Sequence, residues 1–520
     1  MFTEVRNFDP QEVTYAYGEK VMNQQFLKVL KEYHPDYIHM FLVGNEFFPE
    51  TLMKIKEILP NVKITHWNGD DDIKFENYTV PYSAIVDYTF MSQLQFSKLY
   101  KKYGLKIFDT LAVDIENFKP MNLKKKHDVV FVGSDKADRA DFLKYLVSKR
   151  INFQVYGRGW DKYPEIKPFY KGTISDEDFV TLINETKINL CFSKNYFNSP
   201  HVLERTLEMN SCKSFALTEY VKGYFPKFVE GKDIATFKNN EELAKKINYY
   251  LKHEKEREKI AERAYRKVIK RFSNQKMMGD AYKAIEKDKQ PLHSITSRKY
   301  LNKKIIYLGK NDFKKGLDHL KEEVKNFEYI CFKNKGYETL PYKDYFQVYT
   351  MELVKKPISI CDLQLSSRLI GDYAYLGLHY VYKYYDKKYF YENVDISQFM
   401  VKKDFFLKNF KKFASLCHGD KPYFINDKTT TFISIPLVRT RKIKKIPLKN
   451  IDHILFLNLE RDLVVLRSQK RLLKDPYIYK LIFYSIFINP QILKQLLVNV
   501  SRKTKIPLLV RIGEFFNRVF

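Results

Sequence analysis

Four short stretches of this sequence combine residue types that can hold or transfer charged groups. In FVGSDKADR, Gly133 and Ser134 follow an apolar run, and Lys136 and Arg139 lead into a helical pattern. Backbone amides at a helix N-terminus attract anions, and two nearby cations strengthen the attraction, so phosphate binding is one reading and a simple turn the other. VYGRGW carries Gly157 at a second strand exit, where a missing Cβ would let a base or ribose approach the backbone; a tight turn explains it as well. Neither stretch completes G-x-G-x-x-G, which argues against a dinucleotide redox enzyme.

In HVLERTLEMNSCKSFALTE, Arg205 and Glu208 are three residues apart and share one face of a predicted helix. A guanidinium donates in a planar fork suited to a diphosphate, and a carboxylate accepts from paired ribose hydroxyls. A local salt bridge accounts for the same spacing, and the sequence leaves both open. THWNGDDDIKF sets Asp70, Asp71 and Asp72 just after a strand, where a carboxylate could orient or deprotonate an acceptor hydroxyl. Clustered aspartates also cap helices and make turns, and no further ligands support a metal site.

Alternating helical and strand patterns must position these residues. Helices are expected near 18–32 and 49–58, and strands at 37–43, 63–68, 84–91 and 106–112. The pattern restarts after the charged stretch MNLKKKH with strands at 128–134, 152–157, 187–193, 214–219 and 233–237, and helices at 138–149, 175–185, 201–210 and 240–288. Strands separated by amphipathic helices imply parallel sheets, so the expected class is α/β. The expected domains are 1–123 and 124–290, two Rossmann-like units facing a cleft, followed by an aromatic, Lys-rich α/β domain over 300–520.

Composition bounds the function. At 520 residues the chain is too long for one core, and 45% hydrophobic with 16% aromatic residues excludes a disordered chain. The balance of 91 Lys and Arg against 62 Asp and Glu, +29 net, points to anionic partners: phosphate groups, an acidic membrane surface or nucleic acid. Five widely spaced cysteines read as reduced core thiols, and the N-terminus has no secretory pattern, so a cytoplasmic location is expected. The stretch 477–500 before SRKTK reads as a core helix or as a basic amphipathic segment making peripheral membrane contact.

Over about residues 18–290 the order of motifs resembles the GT-B glycosyltransferases, specifically the spore-maturation-protein-like family with a group 1 glycosyltransferase C-terminal domain. HPDYIHMF, HWNGDDD, LAVDIENFKP, DVVFVGS, VYGRGW and RTLEMNSCKSFALTE carry it. The resemblance implies a nucleotide-diphosphate sugar bound mainly by the second domain, a carbohydrate or glycoconjugate acceptor bound by the first, and no obligatory metal or cofactor. It would put Gly133 and Ser134 beside the donor phosphates, Arg205 on the diphosphate and Glu208 on the ribose. The related E-x7-E pattern would need a glutamate at 200, where Pro200 stands, and the glycine that commonly follows the helix is Lys213.

Residues 327–365 look like the middle of a GT-A glycosyltransferase whose Asp-x-Asp metal site is replaced by FKNKGYE. Lys333 and Lys335 cannot coordinate a cation, which implies a degenerate binding or scaffolding domain. The alternatives to a glycosyltransferase are a non-catalytic polyanion- or nucleic-acid-binding protein and a sugar-nucleotide epimerase on the same fold. No RNP, helix-turn-helix or zinc-finger pattern favours nucleic acid.

Overall fold

The computed structural model describes residues 2–288 and 302–440, apart from 18, 43–45, 70, 72–74, 195–199, 226, 336, 341, 366–393 and 419. Asp70, Asp72 and the 477–500 segment therefore lie outside the described residues. In chain order the N-terminal elements are α1 (Pro10–Tyr17), α2 (Glu19–Tyr33), β1 (Tyr37–Met40), α3 (Pro49–Ile58), β2 (Lys63–Asn68), β3 (Tyr88–Met91), α4 (Ser97–Lys102) and β4 (Ile107–Asp109). There follow β5 (His127–Val132), α5 (Arg139–Ser148), β6 (Gln154–Tyr156), α6 (Asp176–Glu185), β7 (Thr186–Cys191), α7 (Glu204–Ser211), β8 (Ala216–Glu219) and β9 (Ala235–Phe237). Three helices close this stretch: α8 (Asn240–Lys252), α9 (Glu254–Arg271) and α10 (Asn274–Lys287).

The described chain divides into two compact units. One gathers residues 68–72 and 89–288, and the other 2–67, 73–88 and 302–440. In the first unit, β6-β5-β7-β8-β9 form a five-stranded sheet, parallel throughout. Its strands are nearly continuous apolar runs, as parallel strands covered on both faces must be: Val129, Val130 and Phe131 are all buried, as is every residue of β8. Ser175 caps α6 by accepting from the Asp178 amide at 3.1 Å, and three acidic residues in its first turn suit the positive end of the helix. Strands β3 and β4 pair in parallel.

In the second unit β1 pairs with β2 in parallel. The C-terminal part contributes β10 (Ile305–Leu308), α11 (Leu317–Glu323), β11 (Tyr329–Phe332), β12 (Tyr337–Thr339), α12 (Lys343–Val354), β13 (Ile358–Leu365), β14 (Phe399–Lys402), α13 (Lys403–Lys408), α14 (Phe410–Cys417) and β15 (Thr430–Thr440). Its sheet, ordered β10-β11-β14-β13-β15-β12, mixes parallel and antiparallel pairs. One core joins sequence-distant parts: Met22, Leu52, Ile64, Tyr78 and Tyr82 cluster with Tyr345, Phe346, Tyr349 and Ile433. Tyr345 donates to the Ala84 carbonyl at 3.1 Å, and the Tyr349 and Ser83 hydroxyls meet at 2.9 Å.

The α/β class and the parallel sheets follow the sequence expectation. Several boundaries differ, with β4 confined to Ile107–Asp109 for example, and two have a visible cause. The strand expected over 84–91 begins at Tyr88, because the amides of Ala84, Ile85 and Val86 bond back to the carbonyls of Pro81 and Tyr82 and continue the preceding helical turn. The helix expected over 201–210 begins at Glu204, because the backbone of Val202 and Leu203 is bonded to side chains instead. No described helix is long and apolar enough to cross a membrane.

Candidate functional site

The strand order locates the place where a ligand can sit. From β5 the chain moves to its neighbour β6 on one side and then crosses back to β7 on the other. In open parallel sheets the crevice beyond the carboxyl ends of two such strands is the usual binding position. Here it is bordered by the turn after β5, Gly133 to Asp138, and the exit of β7, Phe192 to Lys194.

Arg139 ties these two rims together. Its guanidinium, 5% exposed, donates from Nη1 to the Ser134 carbonyl and from Nη2 to the Phe192 carbonyl, both at 3.0 Å, and lies 5.5 Å from the centre of the Phe131 ring. The spacing suggested a cation for a phosphate; the structure spends two of its donors on backbone carbonyls. Lys136 is half-buried in the same turn.

The glycines are explained by close approach. Gly157 has φ +127°, and a Cβ there would lie 2.3 Å from the Gly133 carbonyl oxygen. A Cβ on Gly133 would in turn lie 2.7 Å from Phe131. Trp160 donates from Nε1 to the same Gly133 carbonyl at 2.7 Å, and the Asp135 amide donates to the Arg158 carbonyl at 2.9 Å. The strand exits of β5 and β6 are thus packed backbone to backbone, which requires glycine at 157, whereas Gly133 makes room for the Phe131 and Arg139 side chains.

A charged cluster that the sequence reading missed lies on the β7 side. Glu219, buried at the end of β8, accepts from the Ser193 amide at 2.8 Å and from Lys194 Nζ at 3.1 Å. Lys194 also pairs with Asp138, which precedes α5. Burial works against the Lys194 ammonium, but its bonds to Asp138 and Glu219 outweigh that and hold its pKa above the ordinary lysine value. The signal in the sequence was weak: a lysine and a glutamate each ending a strand, 25 residues apart, become neighbours only because β7 pairs with β8.

Arg205 and Glu208 lie together on α7 and form the ion pair that their spacing allowed, with Nη1 and Oε2 at 3.2 Å. The Arg205 guanidinium stacks over Phe179 at 4.2 Å from the ring centre. The Arg205 side chain stays 39% exposed, whereas the Glu208 Oε2 that pairs with it is buried. Burial raises the Glu208 pKa; Arg205 opposes the shift, while Glu204 and Asp176 add to it. Asp71 is 2% exposed, and its carboxylate accepts from Asn68 Nδ2 at 2.6 Å and from the Tyr100 hydroxyl at 2.7 and 2.9 Å. These bonds fix the Asp71 side chain. Among the described residues no group of three or more His, Cys, Asp or Glu is arranged to hold a metal ion.

A comparison with curated protein sequences gives no match. Among solved structures the chain is similar to the sucrose-phosphate synthase of Thermosynechococcus elongatus, with 12% identity, a TM-score of 0.39 and coverage of 54% of this chain and 81% of that one. It is similar to Anabaena HepE in complex with UDP and glucose, with 12% identity, a TM-score of 0.41 and coverage of 51% and 81%. A glycosyltransferase from Rickettsia africae gives 15% identity, a TM-score of 0.38 and coverage of 55% and 85%. By sequence, residues 139–282, which hold Arg139, Gly157, Arg205 and Glu208, match the family described as glycosyl transferase-like.

Proposed function

We propose that this protein is a GT-B glycosyltransferase that moves a sugar from a nucleotide-diphosphate donor to a carbohydrate or glycoconjugate acceptor. The observation that carries the reading is the family match over 139–282, which includes the β7 rim of the crevice, Phe192 to Lys194, and the whole of α7. Departure of a nucleoside diphosphate develops negative charge, and fixed cations and backbone amides stabilise it without reorganising. In this reading Arg205 pairs with the diphosphate, Glu208 accepts from the ribose hydroxyls, and the Gly133–Ser134 turn and Lys136 border the phosphates. Arg139 and Gly157 act on the donor indirectly, by fixing the turn. Lys194 joins this set, since its ammonium is held charged beside the crevice by Asp138 and Glu219.

Acid-base assistance is assigned to the 70–72 run, in which Asp71 is itself held by Asn68 and Tyr100. The reading needs no metal, because lysine and arginine supply the positive charge. For 300–520 we retain a non-catalytic, GT-A-like binding module; Lys333, directly after β11, supports that reading.

The test is a thermal-shift screen of UDP, GDP, ADP and CMP and their sugars, on the wild type and on Arg205→Ala and Glu208→Ala. Saturable stabilisation by one nucleoside diphosphate, weakened in both variants, is expected. If no nucleotide shifts the wild type, the donor site is refuted.

A further inference from the structure

We infer that Gln93 is a positioning residue for the donor-binding helix, setting the start of α7 by gripping the backbone of Val202; the inference deepens the nucleotide-sugar reading above and rests on it. Gln93 stands two residues beyond β3 and is 0% exposed. Its Nε2 donates to the Val202 carbonyl at 3.0 Å, and its Oε1 accepts from the Val202 amide at 3.0 Å. One side-chain amide therefore pairs with both backbone groups of a single residue, as a neighbouring strand would.

The remaining capacity of the amide is also used. Gln95 Nε2 donates to Gln93 Oε1 at 2.9 Å and to the Pro200 carbonyl at 3.2 Å, and Gln93 Nε2 lies 2.8 Å from His201 Nε2. A glutamine offers two N–H groups and two acceptor lone pairs, and all four have partners here. The Val202 N–H fixes which end of the amide is oxygen, so His201 Nε2 faces a donor and accepts.

Two further observations converge on the same segment. The Tyr224 hydroxyl accepts from the Leu203 amide at 3.1 Å, donates to the Leu203 carbonyl at 3.2 Å and meets Thr206 Oγ1 at 3.0 Å. A Cβ on Gly223 would lie 2.4 Å from Gln95 Oε1 and 2.5 Å from Val202 Cγ2, so a side chain at this position would push against the grip. Val202 and Leu203 are the last two residues before Glu204, where α7 begins, and Arg205 and Glu208 follow within a turn and a half. A buried glutamine is costly unless fully bonded, and an apolar side chain would fill the space without reaching Val202. The amide instead fixes the register from which the two donor-facing side chains extend.

The experiment compares the full-length wild type with Gln93→Leu, Gln93→Glu and Gly223→Ala. Hydrogen exchange over 200–206 reads the grip directly, and calorimetric titration with UDP, GDP and ADP below the unfolding transition reads its consequence. Val202 should be protected in the wild type and in Gln93→Glu, whose carboxylate still accepts, and should exchange rapidly in Gln93→Leu. All three variants should bind the preferred nucleotide about tenfold or more weakly, a change of about 1.4 kcal/mol. Gly223→Ala presses on Val202 from outside the amide, so it tests the position of the segment even if a Gln93 variant does not fold. Unchanged exchange at Val202 in Gln93→Leu overturns the grip. Wild-type nucleotide affinity in the folded variants overturns the positioning role and leaves the donor reading intact, whereas a wild type that binds none of the three overturns both.

Discussion

The contact between Gly133 and Gly157 gives a prediction that can be worked through in numbers. Gly157→Ala places a Cβ 2.3 Å from the Gly133 carbonyl oxygen and 2.6 Å from its carbon, in a residue at φ +127°. Holding a non-glycine residue at positive φ costs about 1–3 kcal/mol. The overlap is with backbone, so no rotamer change relieves it; the β5 and β6 exits must separate, at about 1–3 kcal/mol more. Gly172→Ala is the control: its φ is +86°, and an added Cβ meets nothing within 4 Å, so it carries the conformational cost alone.

The protein has two tryptophans, Trp67 and Trp160. In a Trp67→Phe background the remaining indole donates to the Gly133 carbonyl, so its fluorescence reports on the same loop. Urea unfolding followed by this signal should show a larger loss for Gly157→Ala than for Gly172→Ala, by about 1–3 kcal/mol. Against a total stability of about 5–15 kcal/mol this is readily measured. Equal losses in the two variants would refute the close-approach argument and with it the structural reading of the glycine pair.

Three further outcomes follow from named groups. Burial raises the Glu208 pKa above the ordinary value of 4.5, so the folded state keeps its proton to higher pH than the unfolded chain, and stability falls as pH rises through that window. Glu208→Gln should flatten this decline in melting temperature measured against pH, and an unaltered profile would contradict the shift. Burial and the nearby Arg257 lower the Lys125 pKa from 10.5 to about 8, so the unfolded chain binds more protons between these values and stability rises with pH there; Lys125→Met should abolish the rise, as read from urea midpoints at the two ends of the window. A fragment ending at residue 290 loses Tyr345, Phe346, Tyr349 and Ile433 from the core they share with Ile64 and Tyr82, and should aggregate or bind a hydrophobic dye unless residues 291–520 are co-expressed; a soluble, non-binding fragment would show that this core is dispensable.

Local sequence determined most of the elements. Apolar runs bounded by charged and turn residues fix β5, β7 and β8, and the amphipathic repeats fix α8 to α10, because strand and helix periods are written in neighbouring residues. The pairing of Arg205 with Glu208 was legible for the same reason: one helical turn brings them together.

Tertiary structure alone decided what the charged and polar residues touch. Arg139 reads as a phosphate cation in sequence, yet the order β6-β5-β7 brings the Ser134 and Phe192 carbonyls within its reach. Lys194 meets Glu219 because two strands pair, and α7 starts three residues later than its own pattern suggests because Gln93, 109 residues before Val202, takes the backbone bonds that a helix would use. Such contacts depend on which strands lie side by side, and no local periodicity encodes that.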